Sequence, residues 1–144
     1  MKIPLDKLLP HELTREDHVQ EIVNWIKTDG AQKRPIAVSD ATKYGRPGYY
    51  IIHDGHHRTE SLKRLGCKSI MANIINFDDK KFRVLSWLDN HEIDKELVIH
   101  VGLNGVKLAP KVTKHVIERD GNLFPFQDND EIEPITPTSL EELK

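Results

Sequence analysis

Cysteine, net charge and long apolar runs are all scarce in this chain, and each scarcity removes a class of protein. The single cysteine among 144 residues, Cys67, excludes an intrachain disulfide. No apolar run approaches the roughly 20 residues of a membrane span. The opening Met1-Lys2-Ile3-Pro4-Leu5-Asp6 also lacks the apolar core of a signal peptide. A cytoplasmic protein without a membrane partner is expected. Lys and Arg number 21 against 23 Asp and Glu, a net charge of −2. That balance argues against a duplex-DNA reader built on a basic face, while leaving room for a local basic groove. The eight histidines and one cysteine show neither HExxH nor CxxC spacing, so no dedicated zinc site is expected.

What is present fits one domain, which at this length buries roughly 68–70% of its unfolded surface. No internal repeat or second domain is visible. Lys2 to Leu8 reads as a short strand ended by Pro10. Val19, Ile22, Val23 and Ile26 recur at helical spacing after a cap at Thr14 or its neighbours, with Asp29-Gly30 as the stop. Residues 35–38 and 49–52 read as strands of a hairpin, and residues 69–77 and 82–88 as further strands. A helix is expected from about Asp94 through Val101, and Val106-Lys107-Leu108 resumes an extended form. The acidic stretch 127–133 reads as a solvated linker or a cover for a site. Residues 135–143 read as a final docked strand or turn.

The densest chemistry lies in Ile51-Ile52-His53-Asp54-Gly55-His56-His57-Arg58-Thr59. A buried strand runs into a glycine turn and then directly into a helix, whose first N–H groups lack intrahelical partners and carry the positive end of the dipole. An anion placed there meets donors and field together. Asp54 can orient a metal or an imidazole, Gly55 allows close backbone approach, His56 and His57 can donate, and Arg58 offers a fork matched to phosphate. Asp-Gly is also an ordinary turn and cap, but four phosphate-competent groups in five positions exceed what a cap requires. The turn reads as a nucleotide or phosphate site.

Three further positions would complement a bound phosphate. Glu12 precedes a helix and suits either a general base or plain dipole compensation. Pro110-Lys111-Val112-Thr113-Lys114-His115 is a clamp for carboxylate or phosphate, or a solvated basic loop. Trp87, between Val84, Leu85 and Leu88, reads as core as readily as a ligand platform.

The order Ile3-Pro4-Leu5, Pro10-His11-Glu12, a helix, Pro35-Ile36, Asp54-Gly55-His56-His57-Arg58 and Leu62 to Gly66 resembles the ParB/sulfiredoxin-like nucleotide-binding fold over residues 3 to about 88. More narrowly, with Trp87 and the segment 110–116, the chain resembles the free L-serine kinases of that superfamily. Its archaeal ADP-dependent members and a siderophore-pathway relative belong to that group. The resemblance implies an α+β fold, a small mixed sheet with flanking helices. It also implies one kinase domain, with residues 1–88 as core and 89–144 as a substrate-side extension. It implies a phosphotransferase that moves a phosphoryl group from ATP or ADP, with Mg2+, to free L-serine or a similar hydroxy amino acid. Glu12, Asp54 and His57 would be catalytic, and Asp54 would also meet the metal. Gly55, His56, His57, Arg58 and Thr59 would hold the nucleotide phosphates, while Trp87, Thr113, Lys114 and His115 would surround the amino acid.

Two departures stand out. The archaeal kinases are longer, with an insertion before the Thr-basic-His segment, and Lys114 stands where they carry an arginine. A sulfiredoxin would need a cysteine at the turn, which Gly55-His56-His57 does not supply. The alternative reading is a ParB-like nucleotide-binding module without kinase activity, acting in DNA partition or regulation. Such proteins continue into a helix-turn-helix region, whereas residues 89–144 offer one short helix and an acidic tail, so nucleic acid is not an expected partner.

Overall fold

The computed structural model describes residues 1–110 and 112–144. It begins with β1 (Lys2–Pro4) and β2 (Leu8–Leu9), separated by a 3-10 turn over Leu5–Lys7. The expected single strand over 2–8 is therefore two. The turn lets Leu5 and Leu8 both reach the core while the chain crosses from one edge of a sheet to the other. α1 (Glu16–Asp29) follows and ends at Gly30, whose φ of 66° is the left-handed stop the sequence predicts. Its N-cap is Arg15, next to Thr14 and within the expected range. β3 (Ala31–Gln32), β4 (Ile36–Asp40) and β5 (Tyr50–Asp54) come next, with β4 and β5 antiparallel as expected. α2 (His56–Arg64), β6 (Ser69–Ile74), β7 (Phe82–Ser86) and α3 (Lys95–Leu103) complete the middle of the chain.

The main sheet has the order β1-β6-β4-β5-β2 and mixes parallel with antiparallel pairs. Its central strand β4 is buried on both faces because helices cover one side and a second sheet the other. Ile36 and Val38 join Ile3, Ile26, Ile52, Leu62 and Ile70 in one core, and Ala37 joins Phe77, Phe82, Val98, Ile117 and Phe126 in another. α1 and α2 are tied at the surface by a two-pronged Arg64–Glu16 pair, both contacts at 2.6 Å.

The second sheet is β7, β8 (Thr113–Arg119) and β9 (Asn122–Pro125), all antiparallel. Thr113, Lys114 and His115 thus lie on a strand, not in a basic loop. Lys111 of that segment lies outside the described residues. β6 ends at Ile74 and β7 at Ser86, each shorter than the sequence suggests. The tail returns to the first core: β10 (Thr138–Ser139) pairs with β3, and α4 (Leu140–Leu143) buries Leu143 completely. No helix among the described residues is long and apolar enough to cross a membrane.

Candidate active site

The glycine turn sits at the end of β5, and its geometry demands glycine. Gly55 has a φ of 114°, and a Cβ there would lie 2.2 Å from Ile36 Cγ2. With no side chain, the turn presses against β4 and α2 begins at once. The Thr59 N–H makes the helical bond to the Gly55 carbonyl at 2.9 Å, so the N–H groups of His56, His57 and Arg58 precede the ladder. The Thr59 hydroxyl also donates to that carbonyl, at 2.8 Å. It holds the turn rather than reaching outward.

Two side chains of the turn are committed differently from the sequence expectation. The His56 ring is buried, and its Nε2 accepts the His11 N–H at 3.1 Å. Burial holds it well below the ordinary imidazole range, so the neutral ring faces the interior and its backbone N–H faces the helix mouth. Arg58 donates to the Arg34 and Pro35 carbonyls, to Asp54 at 3.1 Å and to Glu133 at 2.8 Å. The expected free fork for phosphate is instead a clamp joining β4, β5 and the acidic tail, because a largely buried guanidinium spends its donors on internal acceptors. His57 remains at the cleft surface, where its Nε2 accepts the Arg15 N–H at 3.1 Å and its ring meets His18.

Glu133 was not singled out by sequence. Its side chain is 1% exposed, and burial pushes its carboxyl up to about 10, with Arg58 opposing and Asp54 reinforcing the rise. The stretch 127–133 is therefore a strap. Asp130 pairs with Arg34 at 2.9 Å, the Glu133 carbonyl accepts from the same guanidinium at 2.7 Å, and Asn73 holds the Ile132 carbonyl. Asp128, Glu133 and Ile135 line the cleft with the glycine turn.

Glu12 stands on a segment pinned to Leu108 by the Leu13 N–H to Leu108 carbonyl and Leu108 N–H to His11 carbonyl bonds, both 2.8 Å. Its carboxylate accepts the Thr113 N–H at 3.0 Å and the Thr113 hydroxyl at 2.8 Å. Trp87 is 45% exposed and not core; its indole N–H donates to the Thr113 carbonyl at 3.1 Å. The Lys114 ammonium lies 5.0 Å from the Trp87 ring centre and donates to Asn90 at 2.6 Å. Glu12, Trp87, Thr113 and Lys114 so form one wall. His115 backs it from a buried position, its Nε2 3.0 Å from His53 Nδ1.

Both groups open into a cleft of about 490 Å³. From α1 it is lined by His18, Ile22, Trp25, Ile26 and Asp29, a run of roughly 16 Å along the helix. Its lining joins Glu12, Trp87 and Lys114 to the glycine turn and to the mixed apolar and polar face of α1. Asp54 is the carboxyl nearest the turn in sequence. Among the described residues no group of three or more ligating side chains gathers for a metal. A single carboxyl still suits Mg2+, which keeps waters and takes its remaining ligands from phosphate.

The ParB N-terminal domain model matches residues 2–91. An ATP-dependent L-serine kinase of Staphylothermus marinus is 33% identical over 85 residues, 59% of this chain and 32% of that protein. An ADP-dependent L-serine kinase of Thermococcus kodakarensis is 28% identical over 85 residues, 59% of this chain and 34% of its own length. The chain spans about a third of the length of these curated relatives. A solved free serine kinase in complex with AMP shares the fold over 100% of this chain and 93% of its own, with a TM-score of 0.78 at 15% identity. The C-terminally truncated SbnI of Staphylococcus aureus does so over 91% and 90%, with a TM-score of 0.69 at 15% identity.

Proposed function

The chain belongs to the ParB N-terminal domain family, and from that premise we propose that it is a small-molecule kinase. It transfers a phosphoryl group from ATP or ADP to the hydroxyl of free L-serine, or of a similar hydroxy amino acid, giving O-phosphoserine. The relatives named L-serine kinases support the reaction class. The observation that carries the reading here is a carboxylate, Glu12, held by two donors of Thr113 in the same cleft as the glycine turn.

Phosphoryl transfer asks a protein for in-line positioning and charge neutralisation. In this reading the N–H groups of His56, His57 and Arg58 receive the donor's phosphates at the α2 N-terminus, and the His57 ring flanks them. Gly55 permits the approach, and Thr59 and Arg58 hold the turn and Asp54 in place. Asp54, with phosphate oxygens, would hold Mg2+, which when bound neutralises charge on the donor. The base and ribose lie toward Trp25 and Ile22. Glu12 accepts the proton of the acceptor hydroxyl. Trp87, Thr113, Lys114 and His115 shape the acceptor end, with the Lys114 ammonium toward the amino acid's carboxylate. Residues 1–88 then form the donor-binding core, and 89–144 form an extension that completes both ends of the cleft.

The test is a phosphoryl-transfer assay with Mg2+, offering ADP and ATP separately to L-serine, L-threonine and no acceptor. Acceptor-dependent product should fall by about 10²–10⁴-fold in Glu12→Gln, with nucleotide binding retained. Nucleotide binding without product from any acceptor would overturn the kinase and favour a binding module.

A further inference from the structure

Behind Glu12 lies a buried hydrogen-bond chain whose proton count does not close. The Thr113 hydroxyl is 2.8 Å from Glu12 Oε1 and 3.0 Å from His11 Nε2. His11 Nδ1 is 2.8 Å from the Ile52 carbonyl. A carbonyl only accepts, so Nδ1 carries the ring hydrogen. His11 is fully buried, and burial pushes its imidazole down to about 4, so near neutral pH the ring is uncharged and Nε2 is a bare acceptor. The rings facing it, His53, His56 and His115, are also held neutral by burial. The Thr113 hydroxyl has one hydrogen and two acceptors. While Glu12 is ionised, a hydrogen turned to the carboxylate leaves Nε2 facing an oxygen lone pair. Once Glu12 is protonated, every bond can be made: Glu12 O–H to Thr113, Thr113 O–H to His11 Nε2, His11 Nδ1–H to the Ile52 carbonyl.

We propose that His11 is a positioning residue for proton acceptance, acting through Thr113 to give Glu12 a hydrogen-bond chain complete only when Glu12 carries a proton. This rests on the reading of Glu12 as the base. In the step, the acceptor's O–H bond breaks and an O–H bond forms at Glu12 Oε1, the oxygen facing Thr113, whose hydrogen then turns to the Thr113 oxygen. The acceptor oxygen bonds to phosphorus, and the nucleotide leaves with the electron pair of the broken P–O bond. The Thr113 hydroxyl turns from Glu12 to His11 without giving up its hydrogen. His11 receives a hydrogen bond and not a proton, and Glu12 returns its proton to solvent as product leaves.

The experiment is a double-mutant cycle in the full chain, with Mg2+, the productive nucleotide and L-serine. It uses His11→Asn, which keeps a donor for Ile52 but loses the Nε2 acceptor, and Thr113→Val, which keeps the N–H to Glu12 but loses the hydroxyl. Each single change should lower kcat about tenfold and leave nucleotide Kd within about twofold, the two should combine without further loss in kcat, and His11→Asn, which does not line the cleft, should also leave KM within about twofold. Thr113→Ser should recover most of the turnover lost in Thr113→Val. Multiplying effects, or losses confined to KM, would overturn the chain. Should His11→Asn fail to bind nucleotide, the Thr113 pair decides, and Thr113→Val turning over like wild type sinks the idea. Glu12→Gln separates the two levels. Undiminished turnover there removes the base reading itself, whereas an inactive Glu12→Gln beside a fully active His11→Asn removes only this inference.

Discussion

Gly55 and Ile36 are packed so closely that a single added carbon would stand 2.2 Å from Ile36 Cγ2. The contact locks the glycine turn against the central strand of the sheet. Ile36 is itself fully buried and cannot move aside. Gly55→Ala therefore combines overpacking with an unfavourable positive φ, and should cost about 3 kcal/mol of stability. Chemical denaturation measures the loss, and nucleotide titration of the surviving folded fraction should show weakened binding. An alanine variant of wild-type stability would mean that the turn is not seated on β4.

Burial pushes the Glu133 carboxyl up to about 10, so its neutral isostere should be tolerated. Glu133→Gln keeps a hydrogen-bonding partner for Arg58 and should leave stability within about 1 kcal/mol. Glu133→Ala strips a partner from a buried guanidinium and should cost about 1–3 kcal/mol. Equal effects of the two substitutions in thermal melts would contradict the clamp.

The neutral histidine interior predicts acid lability. His11 is held down to about 4, and His53, His56 and His115 well below the ordinary range, in each case first by burial. In the unfolded chain these rings titrate near their ordinary value, about 6.5. As pH falls below that value the unfolded state takes up protons that the native state refuses. Stability from this source is therefore full above about pH 6.5 and drains as pH falls toward 4. One ring contributes at most about 1.4 kcal/mol per pH unit, so a steeper fall between about pH 6.5 and 5 marks several acting together. Flat stability across that range would place protons on the buried rings of the folded protein.

The acceptor wall carries its own prediction. The Lys114 ammonium, held between Trp87 and Asn90, is proposed to meet a carboxylate. Lys114→Ala should raise KM for the amino acid about tenfold and leave nucleotide Kd unchanged. Lys114→Arg, with a two-pronged donor, should lower KM relative to alanine. A change in nucleotide affinity instead would relocate Lys114 to the donor side.

The parts of this molecule written as periodic apolar residues were readable in the sequence. α1 with its Gly30 stop, the β4–β5 hairpin and the strand-turn-helix at Gly55 all lie where the spacing predicts. What escaped was burial by polar residues. β8 reads as a basic cluster because its inward positions Thr113 and His115 are polar, and their partners are supplied by Glu12, His11 and His53, distant in sequence. The inward turn of His56, the capture of Arg58 and the burial of Glu133 are likewise decided by groups that only the fold brings near. Trp87 shows the converse, an aromatic residue among apolar neighbours that the strand end leaves half open.

Leu143 has a bearing on the order in which the molecule assembles. It fills the same core as Ile3, Leu62 and Ile70, and its carbonyl accepts the Lys68 N–H at 2.9 Å. A ribosome making this chain has released the main sheet, α1, α2 and the glycine turn well before that side chain emerges. The nascent first core thus waits with an open apolar notch, and contacts of such long sequence separation are slow to form. Residues 138–143 close that notch from the far end of the sequence.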